Sequence, residues 1–463
     1  MVRNGKMLPK DMIASKIRTI IDFYRTGPDQ PLCTIDPAVL KSLYERRRRS
    51  VFLTITLGYG FFYICRLSFS VVKKPMLDEG ILNAEQMGII GSAFLFIYAL
   101  GKLVNGFLSD VTNVRKFMST GLLLSAVVNL CLGFTELFIV FAVLWGVNGW
   151  FQSMGAAPSV VSISQWFSNR ERGTRYGIWS IAHNIGEGLT FAGTSLLVSV
   201  LGWKWGFWGP GIACTLVAVA IYIAHSDRPE TCGLPSVADY KNDYSAGVGT
   251  SESTGTKQRE VLKNPAVWIL GLSSALMYAA RYGINNWGIL YLQETKHYSL
   301  VDAGSVLAAC TIMGIPGTAS SGYLSDRFFH SRRNMPLLLY GLLEIGALTV
   351  FFLIPPGHRW LDTLSMAVFG FAIGGLLVFL GGLMAVDICS KKASGAALGL
   401  VGMFSYLGAA IQDVLSGYFI NTSKTVVGGT VLYNFDNAFY CWIGASILSM
   451  VLASSLWNAK PRE

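Results

Sequence analysis

The chain has 463 residues, 52% of them hydrophobic and only 14% charged, with a mean hydropathy of +0.47. A soluble protein averages about 25% charged residues, so this composition excludes an ordinary water-soluble globule. The net charge of +10 does not mark a nucleic-acid surface, because Lys and Arg gather in alternate loops between apolar runs, as in a polytopic helical membrane protein.

Residues 1–49 form a polar, basic N-terminal segment without the apolar core of a signal peptide. Met12 to Tyr24 has the pattern of a short amphipathic surface helix. The run Arg46–Arg49 reads as a topological stop at the membrane edge. Six apolar runs follow, near 50–72, 85–108, 117–134, 137–163, 174–200 and 205–225. Each suffices to cross about 30 Å of hydrocarbon. Residues 226–263 are rich in Ser, Thr, Gly and charge, and read as a linker whose middle, Ala246 to Thr256, is flexible. Six more runs lie near 265–291, 301–324, 335–354, 362–387, 395–419 and 434–456, before a short tail at 458–463. The expected fold is all-α, with twelve transmembrane helices in two six-helix bundles over 50–225 and 264–457. The basic loops put both termini in the cytoplasm. Of the eight cysteines, Cys65, Cys131, Cys214, Cys310 and Cys441 fall in spans, and no disulfide is expected.

The two halves repeat. Gly106-Phe-Leu-Ser-Asp110 answers Gly322-Tyr-Leu-Ser-Asp326, and both are followed by basic residues, Arg115 and Lys116 in one half and Arg332 and Arg333 in the other. Arg172-Gly173 with Gly177 answers Ser394-Gly395 with Gly399. Such a repeat describes parallel halves about an axis along the membrane normal. Asp110, Arg115, Asp326 and Arg332 are therefore candidates for loops that set conformational rates.

Charge inside a span is costly, about 2.5–3.5 kcal/mol for Arg at a helix centre. Arg66 and Arg281 lie about 16–17 residues into their spans, about 24–26 Å along each helix. Equal depth in related helices points to one central site for an anion with several oxygens, since guanidinium forks match phosphate bidentately. The alternative is an Arg–carboxylate pair holding helices together, and neither nearby span offers an obvious carboxylate. Tyr59, Tyr63 and Arg66 share one helix face, as do Tyr278, Arg281 and Asn285; Tyr98 stands one turn from Lys102. Trp179, His183 and Glu187 share a face of the fifth span. Lys102 either serves as a site cation or snorkels or pairs with an aspartate. Glu187 and Asp413 are uncommon intramembrane acids, either coupling groups or packing. Glu187, one turn from His183, is placed to favour the imidazolium.

The strings LGYGFFYICRLSFS, FIYALGKLVNGFLSD, GIWSIAHNIG, MYAARYGINNWG, GYLSDR and GAALGLVGMFSYLGA resemble the organophosphate:inorganic-phosphate antiporters of the major facilitator superfamily. The likeness spans about residues 45–458, and DRPETCGLPSV is most similar to the bacterial hexose-phosphate transporter and sensor branch. The resemblance implies exchange of a sugar phosphate for inorganic phosphate by a monomer in a bacterial inner membrane. It leaves two rivals to that reading: a receptor for external hexose phosphate that signals to a partner kinase, or a carrier of glycerol 3-phosphate or another organic anion. It assigns Arg66, Arg281, Lys102, His183, Tyr98, Tyr63 and Trp179 to binding or coupling. Four positions depart from the family: Ser180 replaces Asn, Asn285 or Asn286 a carboxylate, Thr311 Glu, and Glu187 Gly. No phosphate-binding glycine loop, metal cluster or nucleophile–base pair stands out, so no enzyme, cofactor or metal is expected.

Overall fold

The structure is a computed structural model that describes residues 18–19, 21–33, 36–242, 261–328, 333–384, 394–427 and 430–456. Among the described residues, twelve helical segments follow one another where the apolar runs lie. They are α1 (Pro37–Asp78), α2 (Ala84–Val111), α3 (Val114–Leu132) and α4 (Phe138–Gln152, resuming as Ala156–Trp166). Next come α5 (Asn169–Leu189, a π-turn at Thr190–Thr194, then Ser195–Leu201) and α6 (Trp205–Ala224). The second half holds α7 (Pro265–Glu294), α8 (Leu300–Phe328), α9 (Asn334–Leu353), α10 (Arg359–Val378, passing into a π-turn), α11 (Ser394–Thr422) and α12 (Asp436–Ser455).

Local sequence sets the starts. Asp36 caps α1, accepting from the Ala38 amide ahead of Pro37, and Asn264 caps α7 in the same way ahead of Pro265. Asn83 and Gln86 form a capping box on α2. At about 1.5 Å per residue α1 is about 63 Å long, twice the apolar core, so its first turns project beyond the bilayer. Ten helices among the described residues are long and apolar enough to span. The two segments outside that count, α5 and α7, are those loaded with His183 and Glu187, and with Arg281, Asn285 and Asn286.

Packing repeats between the halves. α2 lies on α4 as α8 on α10, α1 on α6 as α7 on α12, and α3 on α6 as α9 on α12. One pair of close approaches matches too. A Cβ on Gly186 of α5 would lie 2.2 Å from the Gly60 carbonyl oxygen of α1, and one on Gly408 of α11 lies 2.3 Å from that of Ala275 on α7. Only glycine admits such contact.

The halves meet along α2–α11, α5–α8 and α1–α7. At the end remote from the termini the seam is shut. A Cβ on Gly88 would sit 2.5 Å from the Asp413 carbonyl oxygen, and one on Gly417 lies 2.7 Å from that of Ala84. Lys74 of α1 pairs with Glu294 of α7 at 2.5 Å, and Asn421 donates to Glu85 at 3.2 Å. Lys102, well inside α2, is nevertheless exposed to solvent.

That near end departs from the sequence reading in two places. Residues 226–242 are not free linker. The Asp227 side chain accepts from the Val114 amide at 2.7 Å, and the Trp166 indole donates to the Asp227 carbonyl at 2.9 Å. Burial raises the pKa of the Asp227 carboxyl against the lowering effect of that amide. Tyr240 stacks on Tyr44 at 3.8 Å. The flexible stretch Ala246 to Thr256 lies outside the described residues, as does most of Met12 to Tyr24. Arg48 is more than a topological stop: it is buried and pairs with Glu171 of α5 at 2.5 Å and Glu45 at 2.8 Å. His225, just past α6, is held between Thr54 and Ser162 at 2.9 and 3.1 Å. Burial, aided by the Arg115 charge, lowers its pKa to about 3.

Candidate functional site: a cationic cavity between the halves

Helical spacing delivers the α1 face as expected. Tyr59, Tyr63 and Arg66 are all buried, and the Arg66 guanidinium is sandwiched between the Tyr63 and Tyr98 rings, 4.4 Å from each centroid. Its Nε donates to Gln152 of α4 at 3.3 Å. Both terminal nitrogens, Nη1 and Nη2, are buried without a hydrogen-bond partner. A buried donor left unmade costs about 1–3 kcal/mol, and more when charged.

Arg281 differs, and here the sequence reading is corrected. Its Nη2 donates to Glu187 at 2.9 Å, and both side chains are buried. The carboxylate missing from the nearby spans comes from α5, in the other half. Pairing offsets part of the cost of burying each charge in a low-dielectric interior. Glu187 is therefore the partner of Arg281, and no hydrogen bond joins it to His183. The His183 Nδ1 instead contacts the Ser180 carbonyl, while its ring tilts against Tyr63 at 5.6 Å.

The remaining candidates gather around these two. Trp179 stacks on Tyr59 at 4.5 Å, with its indole N–H buried and unpartnered. Asn285 is buried with an unpartnered Nδ2. Tyr278 is half-buried, 5.8 Å from the Arg281 guanidinium. Lys102 has no ion pair with an aspartate among the described residues, and its Nζ stands 5.0 Å from the Tyr406 ring. Thr311 turns its hydroxyl to the Ala308 carbonyl. Asp413 is buried, accepting from the Trp287 indole at 2.6 Å.

Of the loop candidates, only Arg115 has a described side chain. Arg115 places its guanidinium 5.3 Å from the Tyr222 ring. Asp110 and Asp326 lie within α2 and α8, but their side chains, and Arg332 altogether, are outside the described residues.

Three groups escaped the sequence reading. Tyr406 contacts Tyr98, Tyr278 and Tyr282 at 4.7, 5.4 and 5.9 Å, so it stands at the hub of the cavity aromatics. Tyr282 lies 5.6 Å from the Arg281 guanidinium. Lys73, beyond the first apolar run, is buried with its Nζ over the Trp287 ring at 3.4 Å and without a hydrogen-bond partner. Its signal was the sequence Lys73-Lys74-Pro75, in which Pro75 does not end the helix; α1 continues to Asp78.

The cavity is thus rich in donors. Arg66, Lys73, Lys102 and Arg281 face only Glu187 and Asp413, leaving two cations without a carboxylate among the described residues. Such a surface fits an oxygen-rich anion of charge about −2, which a phosphate monoester carries above its second pKa near 6.

Comparison with known proteins finds relatives along most of the chain. Residues 51–412 match the family description "Major Facilitator Superfamily". The chain is 32% identical to the glycerol-3-phosphate transporter of Bacillus subtilis, covering 92% of this chain and 96% of that one. It is also 32% identical to a probable hexose phosphate transport protein of Chlamydia pneumoniae, covering 92% and 95%. It is 33% identical to the membrane sensor protein UhpC of Salmonella typhimurium, covering 85% and 90%. Among solved structures, a bacterial homologue of the lysosomal transporter Spinster, inward-facing and unoccupied, superposes with a TM-score of 0.69 at 17% identity, over 89% of this chain and 96% of that one.

Proposed function

The chain belongs to the major facilitator superfamily, in its organophosphate:inorganic-phosphate antiporter family, and on that premise we propose that it exchanges a sugar phosphate, of the hexose 6-phosphate type, for inorganic phosphate. The carrier is a monomer in a bacterial cytoplasmic membrane with both termini in the cytoplasm.

One observation carries the reading: the Arg66 fork, clamped between Tyr63 and Tyr98 with both terminal nitrogens unpartnered. Two parallel N–H groups match two phosphoryl oxygens. The Trp179 N–H and the Asn285 amide, also unpartnered, are donors for further phosphoryl or sugar oxygens. Glu187 holds the charge of Arg281 while the site is empty. An arriving phosphoryl group competes for Arg281, drawing the second half toward the ligand. The halves then rock about the bound anion, opening the far end as the near end closes. An empty cavity keeps two cations without counterions, so its reorientation is disfavoured until an anion fills it. Exchange rather than one-way transport follows. The aspartates Asp110 and Asp326 set the rate of rocking through the near-end loops.

The test is phosphate–phosphate exchange by purified protein in liposomes, followed by competition with a panel of sugar phosphates. Saturable exchange inhibited by hexose 6-phosphate supports the reading. The similarity to a membrane sensor favours one rival, a receptor using the same cavity. Tight binding of hexose phosphate with no exchange would select it. Absence of phosphate exchange together with transport of a carboxylate that phosphate does not inhibit would select a carrier for a different anion.

A further inference from the structure

A small pocket opens from Arg66 toward the far end, lined by Ser70, Lys73, Gly91, Tyr282, Asn286 and Asp413, among others. Arg66, Ser70 and Lys73 stand at i, i+4 and i+7 on α1, one face of the helix, so Lys73 lies about 10 Å beyond Arg66. Like Arg66, it aims a buried, unpartnered cation into this pocket.

Its surroundings straddle the seam. Trp287 of α7 presents its ring face to the Lys73 Nζ at 3.4 Å and its N–H edge to the Asp413 carboxylate at 2.6 Å. The indole bridges a cation of the first half and an anion of the second. The other Asp413 oxygen, Oδ2, has no hydrogen-bond partner and packs on Gly91 of α2, where a Cβ would lie 1.7 Å from it. When the far end opens, α7 and α11 carry Trp287 and Asp413 away from α1. Lys73 is then a bare cation at the mouth of the cavity. An uncompensated charge in such a place is expensive, and a phosphoryl anion is the counterion at hand.

We propose that Lys73 is a second anion-binding residue, which takes the phosphoryl group of a ligand arriving through the far end and is screened by Trp287 and Asp413 while that end is shut. The inference rests on the transport reading above. The anion is held first at Lys73 and Ser70, then passes about two helical turns along α1 to Arg66.

The experiment measures the KM for phosphate from each side, in membrane vesicles of both orientations, for wild type, Lys73→Gln, Lys73→Arg and the charge-neutral pair Lys73→Gln with Asp413→Asn. Lys73→Gln raises the far-side KM at least about tenfold, the factor for one charged hydrogen bond, and leaves the near-side KM within about twofold. Lys73→Arg restores the far-side value. The double variant keeps the far-side defect, and it carries the same test if Lys73→Gln alone is recovered poorly. An equal rise from both sides would overturn the inference, since Lys73 would then act through Arg66. So would a lower kcat with both KM values unchanged, which describes a latch. Absence of exchange by the wild type from either side would instead remove the transport reading, and this inference with it.

Discussion

Substituting Gly88 by alanine should push the protein out of the conformation described here. The added Cβ would lie 2.5 Å from the Asp413 carbonyl oxygen and 3.1 Å from the Gly417 Cα, so backbone opposes it on both counts. No side chain can turn aside. Restoring ordinary contact near 3.4 Å requires α2 and α11 to part by about 0.9 Å where they seal the far end. Overpacking of this kind costs about 1–3 kcal/mol. The cost falls on the state in which the two helices touch and is relieved in the state in which they separate. The equilibrium should therefore shift toward far-end opening by about 5- to 150-fold. Spin labels at Asp78→Cys and Lys424→Cys, near the far ends of α1 and α11, report this by pulsed dipolar spectroscopy. A longer distance population should grow in Gly88→Ala. Gly444→Ala on α12, where a Cβ would meet nothing within 4 Å, should change nothing. A distance distribution identical in Gly88→Ala and the parent would refute the view that this glycine contact belongs to one state of a two-state seam.

Arg66→Lys should cut phosphate affinity at least about tenfold with little change in melting temperature, because lysine keeps a cation beside Tyr63 and Tyr98 and the one hydrogen bond lost is that to Gln152; isothermal titration and thermal unfolding in detergent read the two effects. Glu187→Gln leaves Arg281 buried without its counterion, a loss of about 3–5 kcal/mol for a broken buried pair; saturating phosphate should then raise the melting temperature more in the variant than in wild type, and an equal shift in both would contradict the role of Glu187 as a stand-in for substrate. His225 supplies a pH signature. Its depressed pKa, about 3 rather than 6.5, means that the folded state favours the neutral ring, by roughly 4–5 kcal/mol. That contribution is fully present above about pH 6.5 and is lost as pH falls toward 3. His225→Gln should flatten the decline of melting temperature over that interval, and an unchanged slope would disprove it.

Much of the cavity was legible because it rests on helical periodicity and on a repeat. Arg66 with Tyr59 and Tyr63, and Arg281 with Tyr278 and Asn285, follow from spacing alone. What spacing does not encode is which residues of distant helices meet. Glu187 and Arg281 are 94 positions apart and lie in opposite halves, so their pairing is visible only once α5 and α7 are placed. Tyr406 has the same character, reached by three tyrosines from two other helices. Lys73 was missed for a different reason. Hydropathy ends the first run at residue 72, whereas backbone hydrogen bonding carries α1 through Pro75 to Asp78. A burial boundary set by the neighbouring half is not a boundary of apolar composition.

If the chain is the exchanger proposed above, the two buried pairs supply a physical reason for exchange rather than leak. Glu187 and Arg281 join α5 to α7, and Lys73 and Asp413, through Trp287, join α1 to α11. Both cross the seam, with opposite polarity: the first half contributes the acid to one and the base to the other. Rocking must stretch these contacts. An empty protein that stretches them exposes unpaired charge in a poorly polarisable interior, where each broken pair costs several kcal/mol. A bound phosphoryl dianion changes the sum. On the reading proposed above it would satisfy Arg66, which is without a carboxylate partner among the described residues, take over Arg281 from Glu187, and supply Lys73 with a counterion when Asp413 withdraws. The ligand therefore lowers the barrier by replacing contacts at the point where they break. On this account any anion able to bridge Arg66 and Arg281 permits the return step, and an empty cavity does not.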